Sequence, residues 1–117
     1  MLTLYKHFKV VKEVNRYWKN SGVLNGLLKL TAYDMNQKYV ALQLLEKTRW
    51  QGKLYTTQSN TANIKLMQRA ILNKQACLGK KLDANAREKY RKIRVVILNK
   101  QYWKKTRQLK DLLRPFL

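Results

Sequence analysis

The residues in this chain with the most chemistry to offer are its cations. Arg87, Arg91 and Arg94 recur at i, i+4 and i+7, and Lys100, Lys104 and Arg107 repeat that spacing. On a helix each triplet falls on one face, so two stacked rows of positive charge are available to follow phosphates along a groove or across a backbone. Lys80 and Lys81 extend the patch at one end, and Lys105 adds to it within the second row. The arginine forks suit bidentate phosphate contacts, whereas lysines suit diffuse neutralisation. Like charges at this spacing destabilise a bare helix, and only Asp83 and Glu88 lie nearby to offset them. The pattern therefore points to a polyanionic partner.

Other reactive groups are scarce. The six carboxylates are scattered and form no pair for acid–base work. Cys77 is the single cysteine and lies in a periodic apolar stretch, where a buried, inert thiol is expected. His7 is the single histidine and is expected on the solvent side of the first helix. An internal disulfide, a Cys/His metal cluster, an enzymatic reaction, a cofactor and a small-molecule substrate are all unsupported by such an inventory. Trp18, Tyr90, Tyr102 and Trp103 have the rings to stack on unpaired bases, although a place in the core or an interface is the simpler role for most of them. No helix-turn-helix, finger or basic zipper is recognisable.

Composition carries the same message. Lys and Arg supply 26 of 117 residues, the formal charge is +20, and yet 45% of the chain is hydrophobic with twelve aromatic residues. Few aromatics and low hydrophobicity go with disorder, so this chain is expected to pack as one domain. Residues 1–58 hold ten basic against three acidic residues, a net +7, and residues 59–117 hold sixteen against three, a net +13. The C-terminal half is thus the expected anchor. The longest tight apolar run is Val95 to Leu98, far short of the ~20 residues of a membrane span. Residues 1–19 are basic and amphipathic, but Glu13 and the absence of serine argue against a transit peptide. Eighteen lysines against eight arginines, with frequent Asn and Tyr, fit A/T-rich codons and a mitochondrial setting.

An all-α fold of three to four helices must position these groups, arranged as a helical domain over residues 1–79 and a long basic C-terminal helix and tail over 80–117, packed on or extending from it. Leu4, Phe8, Val11 and Trp18 predict an amphipathic helix from 4 to 19, ended by Asn20-Ser21-Gly22. Leu28, Ala32, Met35, Tyr39, Leu42 and Leu45 predict a second helix running unbroken to about Trp50. Residues 53–60 lack clear periodicity and read as a loop. Ser59, Asn60 or Thr61 is placed to cap a third helix through Ile64, Met67, Ile71 and Leu78, closed by Gly79. Asp83 is an expected N-cap for the last helix, and Pro115 its latest stop. In that segment Ala86, Tyr90, Ile93 and Ile97 form one stripe, whereas Val95, Leu98, Tyr102, Leu109 and Leu113 lie nearly opposite. Its two halves are therefore expected to touch different neighbours, or the helix to bend. The pentapeptide ILNKQ occurs at both 71–75 and 97–101, with flanks that do not match.

Short, very basic, aromatic, cysteine-poor and helical, the chain resembles ribosomal proteins of the mitochondrial type. That resemblance implies a structural role, with rRNA and neighbouring ribosomal proteins as partners and Lys80, Lys81, Arg87, Arg91, Arg94, Lys100, Lys104, Lys105 and Arg107 as the RNA contacts. Leu4-Tyr5-Lys6 near the start of an amphipathic helix also looks like the LYR-motif family of small basic mitochondrial proteins. This second resemblance implies an accessory subunit or assembly factor of a respiratory complex that binds acylated acyl carrier protein, although Lys stands at the third motif position.

Overall fold

A computed structural model describes residues 2–44, 50–73 and 84–114 of the chain. Six helices and no strands occur among the described residues: α1 (Leu2–Lys19), α2 (Gly22–Asp34), α3 (Trp50–Ala62), α4 (Ile64–Ala70), α5 (Ala84–Ile97) and α6 (Lys100–Leu113). The all-α expectation holds, but the count of three to four helices is corrected upward. Leu45, Cys77, Leu78, Gly79, Lys80, Lys81, Asp83 and Pro115 lie outside the described residues.

α1 follows its apolar stripe closely. Phe8, Val11, Val14 and Trp18 are buried, each burial contributing about 1.5–3 kcal/mol for side chains of this kind. The helix packs against α2, α3, α5 and α6 and so forms the hub of the fold. Ser21 then caps α2, its Oγ accepting the Leu24 N–H at 3.2 Å.

The second helix ends about sixteen residues earlier than periodicity predicts, at Asp34. Asn36 adopts φ 53°, a left-handed conformation that asparagine tolerates. The Gln37 N–H reaches back to the Ala32 carbonyl at 2.9 Å and the Asn36 N–H to Tyr33 at 3.2 Å, the paired bonds of a Schellman stop. Tyr39 and Leu42 still face the core, but from an irregular segment, residues 37–44, anchored through side chains. Asn63 donates to the Val40 carbonyl at 2.7 Å and accepts the Val40 N–H at 3.4 Å. Ser59 Oγ accepts the Gln43 N–H at 3.0 Å, and Asn15 donates to the Gln43 carbonyl at 3.0 Å. Side-chain amides and hydroxyls thus supply the partners that a strand neighbour would otherwise give.

Residues 53–60 are helical, which corrects the loop expected there. The buried face of α3 is polar: Thr56, Thr57, Ser59 and Asn60 are all within 4% of full burial, beside Leu54. Thr56 and Thr57 return their hydroxyls to the carbonyls of Gly52 and Lys53 at 3.0 and 2.8 Å, so they are satisfied inside the helix. Ser59, Asn60 and Thr61 accordingly belong to α3, and Asn63 precedes the third periodic segment, which is the short α4.

The expected long C-terminal helix is two helices. They part at Leu98 and Asn99, where Asn99 caps α6 by accepting the Gln101 N–H at 2.8 Å. A break reconciles the two stripes: Ile93 and Ile97 are buried from α5, and Tyr102, Leu109 and Leu113 from α6. α6 packs on α3 and α1, whereas α5 rests on α6 and α1. Ile93, Ile97, Tyr102 and Trp103 share one hydrophobic cluster with Val11, Trp18, Leu28 and Met67, so the segment beyond residue 80 completes the core of the first four helices. Phe8, Leu54, Leu109 and Leu113 form a second cluster between α1, α3 and α6.

Both copies of the repeated ILN close a helix in the same way. Ile71 and Ile97 are fully buried, each followed by an exposed leucine, Leu72 or Leu98. The Ile71 carbonyl accepts from the Tyr90 hydroxyl at 3.0 Å and the Ile97 carbonyl from Trp103 Nε1 at 2.6 Å. Helix C-termini leave carbonyls without helical partners, and here aromatic donors supply them.

Candidate nucleic-acid interface

A buried polar chain sets the position of the cationic elements. Asn60 lies at its centre. The Tyr102 hydroxyl donates to Asn60 Oδ1 at 2.8 Å, and Asn60 Nδ2 donates to Asn15 Oδ1 at 2.8 Å. Asn15 in turn shares its N–H groups among the Gln43 and Thr56 carbonyls and Ser59 Oγ. Three helices and the 37–44 segment are tied together by a network in which each amide has a partner, the condition under which buried polar groups specify one arrangement. Burial pushes the Tyr102 phenol well above its ordinary value, so it stays a donor.

His7 is part of this chain, not of the solvent face, which corrects its expected position. Its residue exposure is 8%, and Nε2 lies 2.7 Å from Thr106 Oγ1. The Thr106 hydroxyl donates to the Tyr102 carbonyl at 2.7 Å, so His7 Nε2 is the donor to Thr106. Burial, followed by the charge of Lys105, holds the imidazole below its ordinary pKa and therefore neutral. His7 sits one residue before Phe8, and its partner lies ninety-nine residues away; the local pattern gives no sign of the contact.

Two surfaces carry the cations predicted from sequence. On α5, Arg87, Arg91 and Arg94 are exposed along one face with Lys89 and Lys92 beside them, and Glu88 is the helix's single carboxylate. On α6, Lys100, Lys104, Lys105 and Arg107 are exposed. Glu13 and Arg16 form an ion pair at 2.7 Å on α1.

The structure brings Lys100 and Arg107 together with cations that no local spacing connects to them. A groove of about 640 Å³ opens between the 37–38 turn, the α3–α4 junction and α6. Lys38, Lys65, Lys100 and Arg107 line it, with Gln37, Gln68 and Thr61, and no carboxylate among the described residues is in its walls. Trp103 contributes a wall but is 2% exposed, and its Nε1 is committed to Ile97. Lys38 and Lys65 were missed in the sequence because each stands outside a basic row; only the docking of residues 37–44 against Asn63 and of α6 against Asn60 places them opposite Arg107. Lys104 and Lys105 do not line the groove.

The aromatics considered for stacking are not free to stack. Trp18, Tyr102 and Trp103 are core residues, and Tyr90 is half-buried with its hydroxyl on Ile71. Tyr33 is the most exposed aromatic described, at 84%. It lines a second concavity of about 630 Å³ with Ala32, Asn36, Gln37 and Lys38, the last two shared with the cationic groove. No helix among the described residues is long and apolar enough to cross a membrane. Compared with protein-family models, curated proteins and solved structures, the chain matches none of them.

Proposed function

We propose that this protein is a structural RNA-binding component of a ribonucleoprotein particle, namely a mitochondrial ribosome, where it neutralises and bridges rRNA and neighbouring proteins. The observation that carries the reading is the density of exposed cations: Arg87, Arg91 and Arg94 on α5, Lys100, Lys104, Lys105 and Arg107 on α6, and a groove lined by four cations and, among the described residues, no carboxylate. A +20 chain is driven by this field toward a polyanion, whose condensed counterions it releases on binding. The ribosomal and mitochondrial parts of the reading rest on composition: small size, high Lys content, frequent aromatic residues and a single cysteine.

The test is RNA binding by the full chain across a salt series. Each phosphate contact steepens log K against log salt by ~0.7 to 0.9. Replacing Arg87, Arg91 and Arg94 with Gln should flatten the slope by about 2 to 2.7 while the helical content stays unchanged. An unchanged slope, or no RNA binding by the native chain at low salt, contradicts the reading.

A further inference from the structure

The geometry points to a specific site for single-stranded RNA in the two adjoining concavities around Gln37 and Lys38: phosphates seated in the Lys38–Lys65–Lys100–Arg107 groove and one base stacked on Tyr33. This rests on the RNA-binding reading and narrows it to a strand, a place and a stacking residue.

Three observations converge. The groove has the volume of a small-ligand cleft, within the ~300–1,000 Å³ usual for such sites, which suits one or two nucleotides of an unpaired strand. Its cations come from the 37–38 turn, α4 and α6, and no ion pair engages Lys38, Lys65, Lys100 or Arg107 among the described residues. Gln37 and Gln68 add amide donors and acceptors, and Thr61, whose hydroxyl donates to the Gln58 carbonyl at 3.0 Å, adds an acceptor; phosphate has no use for the acceptors, but a base edge or a 2′-hydroxyl does.

Tyr33 supplies what the basic rows lack. An aromatic ring exposed at 84% on the last turn of α2 gains little from the protein's own core. Base–aromatic stacking beside a cationic track is the common device of single-strand binders. Because the Schellman turn at Asn36 is a fixed backbone feature, it carries Gln37 and Lys38 directly from the Tyr33 concavity into the groove. Phosphate and base sites are therefore joined by two consecutive residues.

The experiment measures fluorescence anisotropy of a labelled eight-nucleotide single-stranded RNA and of a duplex of the same sequence, with the native chain and its variants. Tyr33→Ala leaves the net charge unchanged and removes no buried contact. It should weaken single-strand binding about fivefold or more, leave duplex binding and the salt slope as they are, and be rescued by Tyr33→Phe. Lys65→Gln with Arg107→Gln should flatten the single-strand slope by about 1.4, whereas Lys6→Gln with Lys19→Gln on α1 should have a smaller effect. If Tyr33→Ala binds the single strand like the native chain, the site is overturned while general RNA binding stands. If the native chain binds neither RNA, both the site and the broader reading fall.

Discussion

The Tyr102 hydroxyl donates a 2.8 Å hydrogen bond to Asn60 Oδ1, joining two buried residues forty-two positions apart. That bond fixes α6 against α3, and with it the spacing between Arg107 on one groove wall and the α3–α4 junction on the other. Replacing Tyr102 with Phe leaves Asn60 Oδ1 buried without this donor, which should cost about 1–3 kcal/mol. Thermal unfolding followed by circular dichroism should show a midpoint lower by about 4 °C or more. An unaltered midpoint would mean that the network adds nothing to the packing around it.

Asn36 offers a second test, since its φ of 53° lies where a side chain without a local hydrogen bond is strained. Asn36→Gly should be tolerated nearly without loss. Asn36→Val should cost about 1–2 kcal/mol and disturb the path of Gln37 and Lys38. Paired melting curves and single-strand RNA titrations check both, and equal behaviour of the two variants would contradict the role assigned to the turn.

Stability should depend on pH through His7. Its folded pKa is lowered by burial and by Lys105, whereas in the unfolded chain it lies near the ordinary ~6.5. The unfolded state therefore takes up the proton first as pH falls. The contribution of neutral His7 is complete above ~6.5 and is lost as pH falls from there toward the lowered folded value. Urea midpoints between about pH 7.5 and 5 should decline for the native chain and stay flatter for His7→Gln; parallel profiles would show that His7 is not the group responsible.

Where burial follows apolar periodicity, the fold was legible. Phe8, Val11 and Trp18 marked the inner face of α1, and the opposed stripes of the C-terminal segment marked a bend that the structure resolves as a break at Leu98 and Asn99. Where the buried face is polar, the pattern misleads. α3 buries Thr56, Thr57, Ser59 and Asn60, residue types that read as loop because they usually compete with helical hydrogen bonds. Thr56 and Thr57 are satisfied within the helix, but Ser59 and Asn60 meet Asn15, Tyr102 and the Gln43 backbone, none of them near in sequence. Leu42 belongs to the core as periodicity implies, but Asn36 had already ended the helix.

The interface divides along the same line. The rows at Arg87–Arg91–Arg94 and Lys100–Lys104–Arg107 are local spacings on single helices and were visible. The groove is tertiary: Lys38 follows a helix stop and Lys65 lies in the first turn of α4, so their convergence with Lys100 and Arg107 exists only once α6 is seated. Tyr33 was overlooked because aromatic residues in a periodic helix are usually core, and here its ring is left outside.

The central claim is that RNA is the polyanion this surface meets. It is tested most directly by gradient sedimentation of the tagged endogenous protein with and without ribonuclease, probing each fraction for rRNA and for respiratory-complex markers. Co-migration with a ribosomal subunit that collapses after ribonuclease treatment is the predicted result. Ribonuclease-resistant migration with a respiratory complex would contradict it and favour the accessory-subunit role that Leu4-Tyr5-Lys6 suggests.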